Sequence, residues 1–334
     1  MALSLSALAV EAQEKQPLFN HLDLGVTMGT TGVGIDITMP VTNYAKLRTG
    51  FSYIPRVEVP MTFGVQVGDD PNTSQTKFDR LSGYLASLTG NQVSSEVEMI
   101  GKPNFWNWSL MVDVFPLKNN RHWHVTAGFY LGPSKVAEAY NKTESMASLM
   151  AVSIYNRMYD KLHGPNGERL TRRQLLQVKL FDLPGTEDFG TDPDMLIALE
   201  ERMHNNGRMG VHMGVYQHDI VDEEGNVVHK KGDDYMMDPD DDNMVKADMK
   251  VNPFKPYVGF GYDGRLLKKN DRVKIGFDAG VMFWGGTPSL TTHDGTDLIH
   301  DVENIGGKVG DYVSAIEKFK AFPLLNLRLT YKLF

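Results

Sequence analysis

Val273-Lys274-Ile275-Gly276-Phe277-Asp278-Ala279-Gly280-Val281-Met282-Phe283 decides the fold. Val273, Ile275, Phe277, Ala279, Val281 and Phe283 are apolar, whereas Lys274, Gly276, Asp278 and Gly280 are charged or lack a side chain. Successive side chains of a strand point to opposite faces, so the period of two predicts a strand with one greasy face and one crowded, charged face. Seven other stretches repeat the pattern. Leu22, Leu24, Val26 and Met28 share a face, as do Val33, Ile35, Ile37 and Met39. Leu47, Thr49, Phe51 and Tyr53 open an extended run that continues to Gln66. Trp106 to Val114, Trp123 to Leu131, Val258 to Tyr262 and Leu325 to Leu333 complete the set of eight.

The connections between these strands are sorted by length. Pro40–Tyr44, Pro116–Arg121 and Leu267–Asp271 are short and polar, and Gly29–Thr31 is a tight glycine turn. The stretches 67–92, 133–252 and 285–320 are long and together exceed half of the chain. If the first strand runs outward, the three short polar turns fall on one side of the sheet and the three long loops on the other. Short turns at one end and long loops at the other are the asymmetry of an outer-membrane barrel. The predicted fold is therefore an all-β membrane barrel, eight-stranded and antiparallel, with long, partly helical extracellular loops.

Composition narrows the alternatives. The chain has 334 residues, a formal net charge of −8 and no cysteine, which excludes a disulfide framework and thiolate chemistry. A mild acidic balance argues against a nucleic-acid-coating protein, which needs clustered Lys and Arg. Mean hydropathy is −0.31, and no apolar run reaches the roughly 18 residues of a membrane-spanning helix. A barrel escapes that test because lipid-facing and lumen-facing residues alternate. Ala2 to Val10 is a short apolar stretch, and Val10-Glu11-Ala12 has small residues at the two positions a signal peptidase reads, which predicts 1–12 as the remnant of a signal peptide cleaved after Ala12. The barrel and its loops occupy 13–334.

Lipid leaves no backbone group to be satisfied by solvent, so the sheet must close, and eight strands enclose an interior that side chains fill. The inward set carries Asp23, Asp36, Asp113, Asp263 and Asp278 against Arg48, Lys274 and Arg328. These lumen charges are expected to neutralise one another. Trp106, Trp123, Phe283 and Tyr331 near strand ends suit an interfacial girdle.

Gly34-Ile-Asp-Ile-Thr-Met-Pro40, Met111-Val-Asp-Val-Phe-Pro116, Tyr257-Val-Gly-Phe-Gly-Tyr262, Lys274-Ile-Gly-Phe-Asp-Ala-Gly280 and Leu327-Arg-Leu-Thr-Tyr-Lys-Leu-Phe334 resemble small bacterial outer-membrane β-barrels of the outer-membrane-protein-A, outer-membrane-protein-W and opacity-protein type. The likeness covers the strands, about a third of the chain. It implies a Gram-negative, porin-like protein of the cell outer membrane, and it makes the terminal Phe334 the assembly signal read by the barrel assembly machinery. Tyr331 is out of phase with Phe334, where the family keeps its terminal aromatics in step.

Chemical motifs are sparse. Gly259-Phe-Gly-Tyr-Asp-Gly264 matches G-x-G-x-x-G in spelling, but a dinucleotide site needs a helix to follow, and here a turn and another strand follow. His122 and His124 share one side of a strand without a third ligand nearby. Asp238-Pro-Asp-Asp-Asp-Asn243 gathers oxygen atoms, yet Asn243 and Met249 stand where a Ca²⁺ loop needs Gly and Glu. His212, His218, His293 and His300 are scattered, and no nucleophile motif gathers them. The chain is therefore read as no enzyme, with no cofactor and no metal.

Helical spacing is expected over Thr76–Leu88, Pro133–Leu162, Asp194–Asn205 and Asp311–Phe319, and a hairpin over Val211–Gln217 and Val227–His229. A chain that invests so much in its loops is expected to work through them. The predicted role is structural or interaction-based, as an accessory or scaffold protein. Its expected partners are outer-membrane lipid and another outer-membrane or surface protein, with no nucleic acid. The alternative is a narrow channel or transporter for small or hydrophobic solutes.

Overall fold

The computed structural model describes residues 21–68, 71–117, 120–164, 167–180, 192–267 and 270–334. The predicted leader, 1–12, lies outside the described residues. Eight antiparallel strands close into a barrel: β1 (Asp23–Gly29), β2 (Gly32–Thr42), β3 (Ala45–Tyr53), β4 (Trp106–Val114), β5 (Trp123–Leu131), β6 (Phe254–Leu267), β7 (Asn270–Phe283) and β8 (Ala321–Lys332). Each strand pairs with its sequence neighbour, and β1 closes on β8 from Asp23 opposite Lys332 to Gly29 opposite Asn326. No strand of the barrel is left with an open edge, which is the condition for a sheet in hydrocarbon.

The alternation sorts as the period of two requires. Val26, Ile35, Phe260, Leu327 and Leu329 are outward and exposed, at 55, 60, 50, 58 and 48 %. Their strand neighbours Asp36, Arg48, Asn107, Asp113, His124 and Arg328 are buried. In water such an outer surface would be an extensive exposed apolar patch, so its natural solvent is acyl chain. Aromatic pairs ring both rims of this belt. Phe51 stacks on Trp106 (centroids 6.0 Å) and Phe129 meets Phe254 (5.1 Å) at one end, while Trp123 meets Tyr262 edge-on (5.1 Å) at the other. The tight turn between β1 and β2 closes through Gly32, whose φ of +85° is in the region that favours glycine.

At the end opposite the short turns, the chain builds a folded cap. Its main sheet has five antiparallel strands in the order Ser289–Thr292, Lys246–Lys250, Lys135–Asn141, Glu96–Pro103 and Val59–Gly64. A second sheet is built on Met209–Tyr216, which pairs with Asp234–Met237, Val302–Glu303 and Gln66–Val67. Among the described residues, five α-helices complete the cap: α1 (Pro71–Thr89), α2 (Met146–Leu162), α3 (Arg172–Leu175), α4 (Pro193–Asn206) and α5 (Gly307–Lys318). Phe78, Leu85, Leu149, Leu162, Leu196 and Met209 bury its core between helices and sheets.

The cap departs from the sequence reading in three places. The extended run after Tyr53 leaves the barrel, and Val59–Gly64 forms an outer strand of the cap sheet. The helix expected over 133–162 is split: Lys135–Asn141 is a central strand between Glu96–Pro103 and Lys246–Lys250, and helix starts only at Met146. Pairing on both edges there overrides the helical spacing of Val136, Ala139 and Tyr140. The expected hairpin also has different partners. Met209–Tyr216 pairs with Asp234–Met237, while Val227–His229 pairs with Ile220–Val221.

Candidate functional site

Two interiors could carry function: the barrel lumen and the hollow of the cap. The lumen is layered. Toward the short-turn end, the Arg48 guanidinium reaches Asp278 (Nη1–Oδ2 2.7 Å, Nη2–Oδ1 3.1 Å) and Asp113 (3.0 Å). Arg328 donates to Asp263 at 2.7 Å and lies 3.7 Å from Asp278. His124 Nε2 donates to Asp278 Oδ1 (3.1 Å), and Thr126 donates to Asp113 (2.7 Å). Lys46 faces Asp263 and Lys274 faces Asp23, each at 3.5 Å. Asp36 accepts from Thr38 at 3.2 Å. All eight lumen charges named from the sequence thus project inside one cylinder. Glycines make the room: a Cβ on Gly261 would stand 2.5 Å from His124 Nε2.

Above this ionic layer the lumen turns apolar and aromatic. Tyr130 and Tyr257 meet edge-on (5.7 Å), and Met111, Met282 and Leu324 are buried beside them. Trp284 stacks on Phe322 (5.7 Å) and Phe105 meets Phe322 at a tilt of 49° (5.9 Å), and the three rings roof the layer. Between the layers lies a cavity of about 40 Å³, lined by Asp36, Arg48, Tyr130, Tyr257, Asp278 and Asn326. It has room for water and not for a solute.

The second interior is larger. One face of the five-stranded sheet presents Val59, Gly101, Ala139, Ala247 and Thr292 in a single cross-strand row. Three of the five are Gly or Ala, so the sheet is shallow there. Met61 and Met99 flank the row on one side, and Pro103, Ala137, Met249 and Leu290 on the other. Over the hollow lies α5, whose Val309, Tyr312, Val313 and Ile316 recur at three- and four-residue spacing and face the sheet. The hollow is half open to the outside, with a volume of about 370 Å³, and its lining is almost wholly carbon and sulfur. That size lies within the range of small-molecule sites.

The sheet edge beside the cavity is held by a polar knot. Asp294 accepts from Thr292 (2.6 Å), the Thr296 N–H (3.0 Å) and the Tyr235 hydroxyl (2.8 Å). Desolvation pushes the Asp294 carboxyl upward, but these hydrogen bonds outweigh it and hold it below the usual carboxylate range. Burial pushes the Tyr235 phenol well above its ordinary value, which keeps it a neutral donor.

Other motifs lie apart from both interiors or serve structure. Gly259 and Gly261 stand in β6, opposite Gly280 and Asp278 of β7, and no helix opens after them. His122 Nδ1 donates to the Asp263 carbonyl (2.6 Å), turned away from the His124–Asp278 contact. Asp240 accepts from the N–H groups of Asp242 and Met244 and from Lys246, so it ties its own loop. Asp238 is held by Arg208. His212, His218 and His300 pair with Asp234, Asp301 and Asp297, and His293 Nδ1 accepts from the Lys246 N–H, so the four do not converge. Phe334 is 69 % exposed, two residues past the end of β8.

Sequence reading missed the cap cavity. Its one local signal was the alternation of small residues Ala137 and Ala139, which also fits a helix.

The chain matches no protein-family model and no curated protein. Among solved structures, Acinetobacter baumannii CarO2 aligns over 95% of this chain and 100% of its own, at 12% identity and a TM-score of 0.37. Acinetobacter baumannii CarO aligns over 93% and 97%, at 12% identity and 0.35. A major outer membrane protein from Thermus thermophilus aligns over 93% and 98%, at 10% identity and 0.28. At such scores no residue and no role transfers from them; the closed barrel stands on its own strand pairing.

Proposed function

We propose that this chain is an outer-membrane barrel, closed to solute flow, whose external cap binds a small uncharged apolar molecule. The observation that carries the reading is the cavity of about 370 Å³ between the cap sheet and α5, walled by methionine, aliphatic and aromatic side chains. Transfer of apolar surface from water into such a hollow is favourable by about 25 cal/mol per Å². Methionine walls adapt to ligand shape because the side chain is unbranched and has several rotatable bonds. The outer-membrane placement is supported by the apolar belt, its aromatic rims and the asymmetry of turns and loops.

The lumen speaks against the channel reading. A conducting pore needs a continuous polar path, and here interlocked ion pairs are followed by a layer of aromatic rings. The α5 hollow supports the interaction role read from the loops.

Binding is tested with the neutral fluorophore 1-aminoanthracene on the protein in lipid nanodiscs, with empty nanodiscs as baseline. Wild type gives saturable enhancement above the baseline, and Ala247→Phe, which fills the central row, loses it. Enhancement equal in wild type and Ala247→Phe, or no saturable enhancement, would overturn the reading.

A further inference from the structure

We propose that His163, Glu200 and His204 form a site for a single divalent transition-metal ion, Zn²⁺ foremost, on the helical side of the cap. The site is independent of the α5 cavity.

His163 is the residue that ends α2, and its ring stacks on Tyr159 (centroids 4.0 Å, 13°). Its Nδ1 lies 2.9 Å from the Tyr159 carbonyl oxygen. A carbonyl can only accept, so Nδ1 carries the proton. In the neutral ring Nε2 then bears a lone pair. His163 is 4 % exposed, and Nε2 has no hydrogen-bond partner. It points at another acceptor, Glu200 Oε1, at 3.9 Å. Two buried acceptors facing each other are unfavourable unless a cation lies between them.

The third donor comes from the same helix turn as the second. Glu200 and His204 are four residues apart on α4, hence on one face. The His204 ring lies parallel to His163, with centroids 5.7 Å apart and planes within 19°. One ligand atom from each of the three residues lies within 4.8 Å of the other two. Zinc bonds of about 2.0–2.2 Å require closer donors than that limit. His204 is exposed, and the proposed site closes by rotation of its side chain.

The surroundings hold the donors as metal ligands are usually held. A ligating imidazole commonly donates its other N–H to a backbone carbonyl, which fixes the tautomer. The Tyr159 carbonyl does this for His163. Glu200 is oriented by Arg169 through two parallel bonds, Nε–Oε1 2.7 Å and Nη2–Oε2 2.6 Å. Each carboxylate oxygen keeps a further lone pair for an ion. Two imidazoles and one carboxylate are a donor set zinc accepts, with a position left for water. Arg169 opposes a cation electrostatically, but its side chain is 52 % exposed and screened. The ion would tie the end of α2 to α4 in place of the 3.9 Å contact between His163 and Glu200.

The test is calorimetric titration of Zn²⁺ into the full chain in detergent, chelator-treated and carrying no histidine tag. Wild type is expected to bind one equivalent with a dissociation constant in the micromolar range or tighter. His204→Ala, whose surface position leaves folding intact, should weaken binding at least tenfold. His163→Gln should do the same. Co²⁺ in place of Zn²⁺ should give a visible ligand-field band in wild type that is absent in His204→Ala. Wild-type binding no tighter than that of His204→Ala would overturn the proposal. So would a metal-free protein in which nitrogen NMR shows His163 as an imidazolium at neutral pH, because a proton would then fill the gap.

Discussion

Arg48 on β3 and Asp278 on β7 hold each other across the barrel through two parallel hydrogen bonds, 2.7 and 3.1 Å long. They come from opposite walls, 230 positions apart, and both are buried. The same Asp278 receives His124 and stands near Arg328, so one carboxylate ties its own strand to three others. Removing it takes from both guanidinium groups an anion they share and leaves Arg48 to Asp113 and Arg328 to Asp263.

Asp278→Ala is therefore expected to destabilise the barrel by up to about 3–5 kcal/mol, the usual cost of breaking a buried pair, reduced by the Asp113 contact that Arg48 keeps. Replacing both partners, Arg48→Met with Asp278→Leu, should cost less than Asp278→Ala alone. Urea unfolding in lipid vesicles, read by gel migration of folded and unfolded forms, measures both. A double variant less stable than the single one would show that the cluster is not held chiefly by charge pairing.

The lumen as packed should not conduct. Wild type in planar bilayers is expected to give no steady single-channel current, because the ionic layer and the Tyr130–Tyr257 layer close it in series. Stable openings in wild type would contradict the plugged lumen. Openings confined to Asp278→Ala would agree with it.

Leu327 stands near the middle of β8 and points outward, opposite Phe277. Leu327→Arg is expected to cost about 2–4 kcal/mol in vesicles, as for cations at the bilayer midplane. The same unfolding assay reads it. A neutral outcome would mean that this face meets water.

The cap should weaken in acid. Asp294 is held below the usual carboxylate range by Thr292, Thr296 and Tyr235, although desolvation opposes them. Its folded-state pKa is thus below its unfolded one. The stability it contributes is complete above the ordinary aspartate range and is lost as pH falls through the depressed folded value. Asp294→Asn should lower the cap melting temperature at pH 7 and flatten its fall between about pH 5 and stronger acid. Near-UV circular dichroism melts across that window measure it; an unchanged acid limb in Asp294→Asn would contradict the assignment.

The barrel was legible in the sequence because its strands answer to one rule each. Val26, Ile35 and Leu327 face lipid and Asp36, Asp113 and Asp278 face inward by parity alone, whatever the partners. Parity does not say that Arg48 meets Asp278 rather than Asp23, since that depends on how far the strands are staggered. The cap obeys no such local rule. Ala137, Ala139 and Tyr140 fit a helix and a strand equally well, and pairing with Met99–Pro103 and Lys246–Lys250 decides between them. The cavity row joins Val59, Gly101, Ala139, Ala247 and Thr292 from five separate segments. His163 meets Glu200 only because α2 packs on α4. Neither constellation has a spacing that a linear reading could detect.

Apolar side chains face acyl chains around a closed, packed cylinder. The chain has no cysteine, so a single nitroxide can be placed at Leu325, Leu327 or Leu329 without background labelling. Power-saturation electron paramagnetic resonance in vesicles then compares access of oxygen, which concentrates in lipid, with that of a water-soluble nickel chelate. High oxygen and low nickel access is expected at all three positions, with the reverse for a label at Ser314 on the exposed face of α5. Nickel access at Leu327 equal to that at Ser314 would contradict the lipid-facing placement.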